Sequence, residues 1–260
     1  MNSRLFRVRT LVTASLLALP ATGFALCDVR TGPKTAALVE LYTSEGCSSC
    51  PPADSQLSRL RQALDPAAEV VPIALHVGYW DYIGWKDPYA QGAFGVRQGW
   101  LVRANQQKTV YTPQFFIGGT ELRSWPGRLR DKVRQINMSP AAATIQVRAH
   151  LTANGVLALD AEATARSGAE SAALYLALAE SGLVSNVTRG ENSGVTLAHD
   201  HVVREWIGPI RLAGGAARLQ RDFALSPDWS RARLDVVAFV QEEYTGSVLQ
   251  AINAQHCAGL

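Results

Sequence analysis

Two cysteines stand two residues apart in the stretch from Glu40 to Asp54, ELYTSEGCSSCPPAD, and this pair constrains the fold more than any other feature of the chain. An apolar run (Ala36-Ala37-Leu38-Val39-Glu40-Leu41-Tyr42) precedes it and reads as a buried strand. After it, Ala53, Leu57, Leu60 and Leu64 recur at steps of four, three and four, which predicts a helix over 51–64. A Cys-x-x-Cys pair at a strand-to-helix junction has a chemical meaning. The unpaired N–H groups of a first helical turn favour a thiolate on the leading cysteine. The thiolate is the form that attacks disulfides, so Cys47 is the expected nucleophile and Cys50 the resolving thiol. That chemistry needs the Cys47 sulfur ionised, accessible and within bonding reach of Cys50. Pro51 and Pro52 lack the N–H that a first turn leaves orphaned, so they fit there.

The chain begins with a segment that has the pattern of a targeting signal. Arg4, Arg7 and Arg9 precede an apolar run from Leu11 to Leu19, then Pro20 and small residues up to Ala25. This predicts a cleaved signal peptide over 1–25 and export to the periplasm or beyond. The whole chain carries 25 basic and 22 acidic residues. Without the three leader arginines the balance is 22 to 22, so nothing points to nucleic acid as a partner. No later run reaches the ~20 apolar residues of a membrane span. In an oxidising compartment the four cysteines are disulfide candidates, with three possible pairings. Cys47 with Cys50 and Cys27 with Cys257 gives each bond its own task, one redox and one structural.

Along the chain, Val70–Val77 is a second buried strand, and strand–helix–strand order predicts a parallel pair. An aromatic-dense segment follows (Tyr79, Trp80, Tyr82, Trp85), then a weakly helical stretch from Tyr89 to Gln107. Thr112-Pro113 leads into a short strand, Phe115–Ile117, whose Gly118-Gly119 turn predicts a hairpin returning over 120–125. A last helix spans Leu129–Ile136. These elements make an α/β unit over 26–139. From Ala143 the pattern alternates with period two over 144–151 and 156–165, and further strands are expected over 173–180, 202–210, 217–225 and 234–240. This texture predicts an antiparallel β-sandwich domain over 140–260.

Cys47-Ser48-Ser49-Cys50 opening a helix, together with Thr112-Pro113 before Phe115-Phe116-Ile117, resembles the thioredoxin superfamily. The resemblance implies a thioredoxin-like fold for the first unit, a cis bond before Pro113, and a peptide-facing role for Thr112. The whole chain is similar to the exported proteins grouped as domain of unknown function 1223. That likeness is carried by ELYTSEGCSSCPPAD, His76-Val77-Gly78-Tyr79-Trp80-Asp81, Tyr111-Thr112-Pro113-Gln114 and His199-Asp200-His201-Val202-Val203-Arg204. Ser48-Ser49 replaces both the Gly-Pro of typical reductases and the histidine of oxidising members, which leaves the direction of electron flow open.

The expected function is thiol–disulfide exchange with a protein partner and a redox partner protein, with no cofactor. Tyr79 and Trp80 would wall a peptide groove with Thr112 and Pro113. One alternative is a non-enzymatic partner-binding module whose disulfide is structural. Another is copper handling by Cys47, Cys50 and His76, since thiolates suit cuprous copper. Structural zinc usually takes four protein ligands, and there is no second cysteine pair. Glu45 and Asp81 read as solvated loop acids, and His199 and His201 as surface or turn residues alternating along a strand.

Overall fold

The computed structural model describes residues 27–152, 154–166 and 171–255. The expected leader over 1–25 and Cys257 lie outside them, and so does one end of the expected Cys27–Cys257 bond. Strand β1 (Cys27–Arg30) is followed by β2 (Ala37–Thr43), all seven residues of which are buried, as in a strand covered on both faces. Helix α1 (Pro51–Ser58) is shorter than its apolar spacing predicts; the chain tightens into a 3-10 turn at Arg61–Ala63, and Leu60 and Leu64 remain buried. Then come β3 (Val70–His76), a 3-10 segment at Gly78–Ile83, α2 (Gly92–Ala104), the hairpin of β4 (Gln114–Ile117) and β5 (Thr120–Glu121), and α3 (Leu129–Asn137). The remainder is all strand: β6 (Ala143–Leu151), β7 (Val156–Ala165), β8 (Ala172–Glu180), β9 (Leu183–Asn186), β10 (Thr196–His199), β11 (Val202–Arg211), β12 (Ala216–Ala224), β13 (Leu234–Glu242) and β14 (Val248–Ala254).

The fold class differs from the expected α/β thioredoxin-like domain followed by an antiparallel β-sandwich domain. Strands hold 44% of the described residues and helices 19%. Eight strands form one sheet in the order β14-β13-β8-β11-β3-β2-β4-β5, drawn from both sides of position 140. The seam is parallel: Val202 of β11 pairs with Ala74 of β3, and the Ala74 N–H donates to the His201 carbonyl at 2.8 Å. The physical reason is that β3 and β8 are buried on both faces, so their sequences carry no alternation that would assign them to separate sheets.

Three apolar layers follow from this sheet. On one face, α2 lies over Leu38, Tyr42, Ile73, Leu75, Tyr175 and Phe239. On the opposite face, α1 and α3 cover Val39, Leu41, Phe115 and Ile117. Beside them the four-stranded antiparallel sheet β1-β6-β7-β12 packs Ile145, Val147, Leu157 and Leu159 on Leu174, Leu176, Val236 and Ala238. A separate two-stranded ribbon, β9-β10, sits near α1. The sheet is finished at one end by the two residues of β5. At the other, the Gln250 side chain of β14 accepts from the Ala36 N–H at 2.8 Å and donates to the Lys34 carbonyl at 2.9 Å. Gly119 turns the β4–β5 hairpin with φ +85°, and a Cβ there would run into the Gly246 carbonyl.

Candidate functional site

Strands β2 and β3 end side by side, Thr43 opposite His76, and Tyr42 is level with Gln114 of β4. The cysteine loop and Pro113 therefore emerge from neighbouring strand ends. In the loop, the Cys47 N–H donates to the Ser44 carbonyl (3.1 Å) and the Cys50 N–H to the Cys47 carbonyl (3.1 Å). Cys50 caps α1, with Pro51 and Pro52 in its first turn. Cys47 and Cys50 form a disulfide with Cα atoms 5.4 Å apart, and no described cysteine is a free thiol. The Ser49 hydroxyl lies 3.3 Å from the Cys47 sulfur.

One expectation fails here. Cys47 and Cys50 are both 0% exposed, whereas Ser48 and Ser49 between them are exposed. Two elements pack against the loop. Trp80 lies against the loop so closely that a Cβ at Gly46 would sit 2.9 Å from its own Cβ. Asn192 donates to the carbonyls of Glu45 (2.8 Å) and Cys47 (3.0 Å), and the Ser48 N–H donates to Glu191 Oε2 (2.9 Å).

The remaining predicted residues gather beside Trp80. Its indole N–H donates to the Thr112 hydroxyl at 2.7 Å, the Thr112–Pro113 bond is cis, and Tyr79 is 41% exposed at the rim. His76 is buried, but among the described residues no three His, Cys, Asp or Glu side chains are placed to hold a metal ion. The Cys47 and Cys50 sulfurs are bonded to each other, and His76 Nδ1 lies 2.8 Å from Asp87 while its Nε2 is buried without a hydrogen-bond partner.

Behind the disulfide lies a buried acid–base cluster that the sequence did not reveal. Glu45, expected in solvent, is fully buried; it accepts from the Trp85 indole (2.7 Å) and lies 3.1 Å from His199 Nε2. His199, expected at the surface, is buried, and its ring meets that of His76 edge-on at 4.9 Å. His201 does not continue the strand of His199; it turns the chain with φ +60°. Asp54 accepts from the Thr43 hydroxyl at 3.1 Å. Burial pushes the Asp54 carboxyl up, against the opposing pull of His76 and His199. Asp87 also accepts from the N–H groups of Glu45 and Tyr89. Burial acts to raise Asp87, but His76 and these donors outweigh it and hold the carboxyl below its ordinary value. Burial likewise acts to lower His76, and Asp87 outweighs it, so the imidazole titrates above its ordinary value.

These directions give a pH signature. A lowered carboxyl stabilises the fold above its unfolded value of about 3.9 and loses that contribution as pH falls through the folded value. A raised histidine stabilises below its unfolded value of about 6.5 and loses that contribution as pH rises through the folded value. Asp54, raised, contributes below its unfolded value of about 3.9 and loses that contribution as pH rises through its folded value, so it opposes the pair within the window. The pair therefore contributes most between about pH 4 and 6.5. Thermal unfolding across pH is expected to show the melting temperature falling on both sides of that window, and Asp87→Asn is expected to flatten the alkaline limb.

Two solved structures resemble this fold. Protein AGR_C_4864 from Agrobacterium tumefaciens aligns with TM-score 0.62 and 20% identity, over 87% of this chain and 96% of that one. HBP35 of Porphyromonas gingivalis aligns with TM-score 0.66 and 17% identity, over 85% of this chain and 75% of that one. No functionally curated protein matches the sequence. Residues 38–241, which run from β2 through the cysteine loop to β13, match the model of the proteins of unknown function called DUF1223, and the chain belongs to that family.

Proposed function

We propose that this protein is an exported thiol–disulfide oxidoreductase that exchanges disulfides with a protein partner through Cys47 and Cys50. The observation that carries the reading is a disulfide closing a ring of only four residues at the junction of β2 and α1. In the chain-entropy model such a ring contributes about 2 kcal/mol, against about 3 for a 15-residue loop, the low end of what a disulfide supplies. Its value lies in chemistry. With the pair oxidised, a partner thiolate attacks the Cys47 sulfur, the Cys47–Cys50 bond breaks, and Cys50 leaves as a thiolate. The partner's second thiolate then attacks its own sulfur in the mixed disulfide and releases Cys47. Two electrons pass from the partner to the pair, and the partner's two thiol protons end on Cys47 and Cys50. With the pair reduced, the same steps run backwards.

The local resemblance of the cysteine and Thr112-Pro113 stretches to thioredoxin-superfamily proteins supports this chemistry. Tyr79, Trp80, Thr112 and Pro113 are the proposed partner-facing residues, and an intramolecular disulfide suits the oxidising compartment that the leader predicts. The burial of Cys47 favours a second reading, a non-enzymatic partner-binding module whose disulfide is structural. Equilibration with glutathione separates the two. A reduction potential between about −120 and −270 mV is expected for an exchanging pair, and one below about −300 mV selects the structural reading.

A further inference from the structure

We infer that the β9–β10 hairpin, residues 183–199, is a hinged cover over the Cys47–Cys50 disulfide, with Asn192 as its latch. Its functional meaning rests on the exchange reading; its existence does not. The hairpin pairs with neither larger sheet, and two strands alone are marginal in water. It is held down instead by side chains. At its tip, Asn192 is only 6% exposed and spans the carbonyls on either side of Gly46, while Glu191 accepts from the Ser48 N–H. At mid-length Ser185 donates to the Tyr89 hydroxyl at 3.2 Å, and at the end of β10 His199 meets Glu45.

The base has the features of a hinge. Gly182 (φ +70°) and His201 (φ +60°) flank the hairpin, both in left-handed backbone, and are tied by the Gly182 N–H to Asp200 and the His201 N–H to the Ser181 hydroxyl. At the tip, Gly190 and Gly194 also take positive φ, which lets the 187–195 loop fold tightly onto Ile83, Trp85 and the cysteine loop. Asn192 and Glu191 hold the cysteine loop through hydrogen bonds that water can replace. Opening therefore costs these polar contacts and the burial of Val187 and Leu197, not a ladder of strand pairing to a larger sheet, and it uncovers the side of the loop carrying Cys47 and Ser48. The cover accounts for a reactive pair at zero exposure.

The test reads access alone. Reduction of the disulfide in the folded protein by dithiothreitol is followed by thiol release, for the full chain, Asn192→Ala and Glu191→Ala. Where opening and closing are fast, the rate tracks the open population. Asn192→Ala removes two buried hydrogen bonds and is expected to raise the rate about tenfold, at an unchanged circular dichroism spectrum. Glu191 is solvent-exposed, so Glu191→Ala keeps the fold and is expected to give a smaller rise in the same direction. Unchanged rates in both folded variants overturn the cover. If Asn192→Ala does not fold, Glu191→Ala decides alone. A potential below about −300 mV with faster reduction in the variants would leave the cover and remove the exchange reading. An exchanging potential with unchanged rates would do the reverse.

Discussion

Arg97→Met is expected to cost about 3–5 kcal/mol of folding stability, read as a lower urea midpoint at an unchanged slope. Glu40 lies in the middle of β2 with no solvent on either face. Arg97, from α2, meets it with two parallel bonds, Nε to Oε2 at 2.7 Å and Nη2 to Oε1 at 2.9 Å, and gives a third to Gln241 of β13 at 2.8 Å. The guanidinium also faces Trp206 at 4.7 Å and Tyr175 and Phe239 at 5.1 Å each. The Tyr42 hydroxyl donates to the same carboxylate, and burial, with Glu40 beside it, pushes that phenol well up. Methionine keeps the apolar volume but strands a carboxylate in the interior, which is far costlier than losing a contact. The double variant Glu40→Gln/Arg97→Met buries no charge and is expected to lose much less than the two single changes summed. Additive losses would show that the pair is not coupled.

Cys47→Ser is expected to abolish disulfide exchange altogether, while Cys50→Ser keeps an attacking thiol that nothing resolves. In the second variant a mixed disulfide with the partner accumulates, seen as a slower gel band that reductant collapses. The asymmetry follows from the loop: Cys47 precedes α1, and Cys50 caps it, tied into the first turn through its carbonyl to the N–H groups of Ala53 and Asp54. Exchange that persists in Cys47→Ser would remove the enzymatic reading. A trapped band formed through Cys50 in that variant would reverse the two roles.

Local pattern made much of the chain legible. β2, β3, α2, α3 and the β4–β5 hairpin fall within a few residues of their expected bounds, because apolar spacing and the Gly118-Gly119 turn are short-range signals. β6 and β7 alternate buried and half-buried residues as their period-two sequences require. The disulfide at the strand-to-helix junction was legible for the same reason. Sheet membership was not, because a strand apolar on both sides does not say which neighbour it takes. β9 and β10 are four residues each, with Val184 exposed, too short to carry a period. The cluster behind the cysteines was hidden by distance along the chain. Glu45 and His199 are 154 residues apart, and Asn192 is 145 from Cys47. A carboxylate two residues before Cys47 reads as a solvated loop acid until a histidine from the other half of the chain closes over it.

The way the large sheet ends bears on how this molecule behaves in a crowd. An open row of backbone donors and acceptors recruits strands from neighbouring copies and seeds fibrils. Here one border stops after two residues, and along the other an amide side chain already occupies the peptide groups of the adjoining segment. Copies that meet at the β5 border find only two residues to pair with.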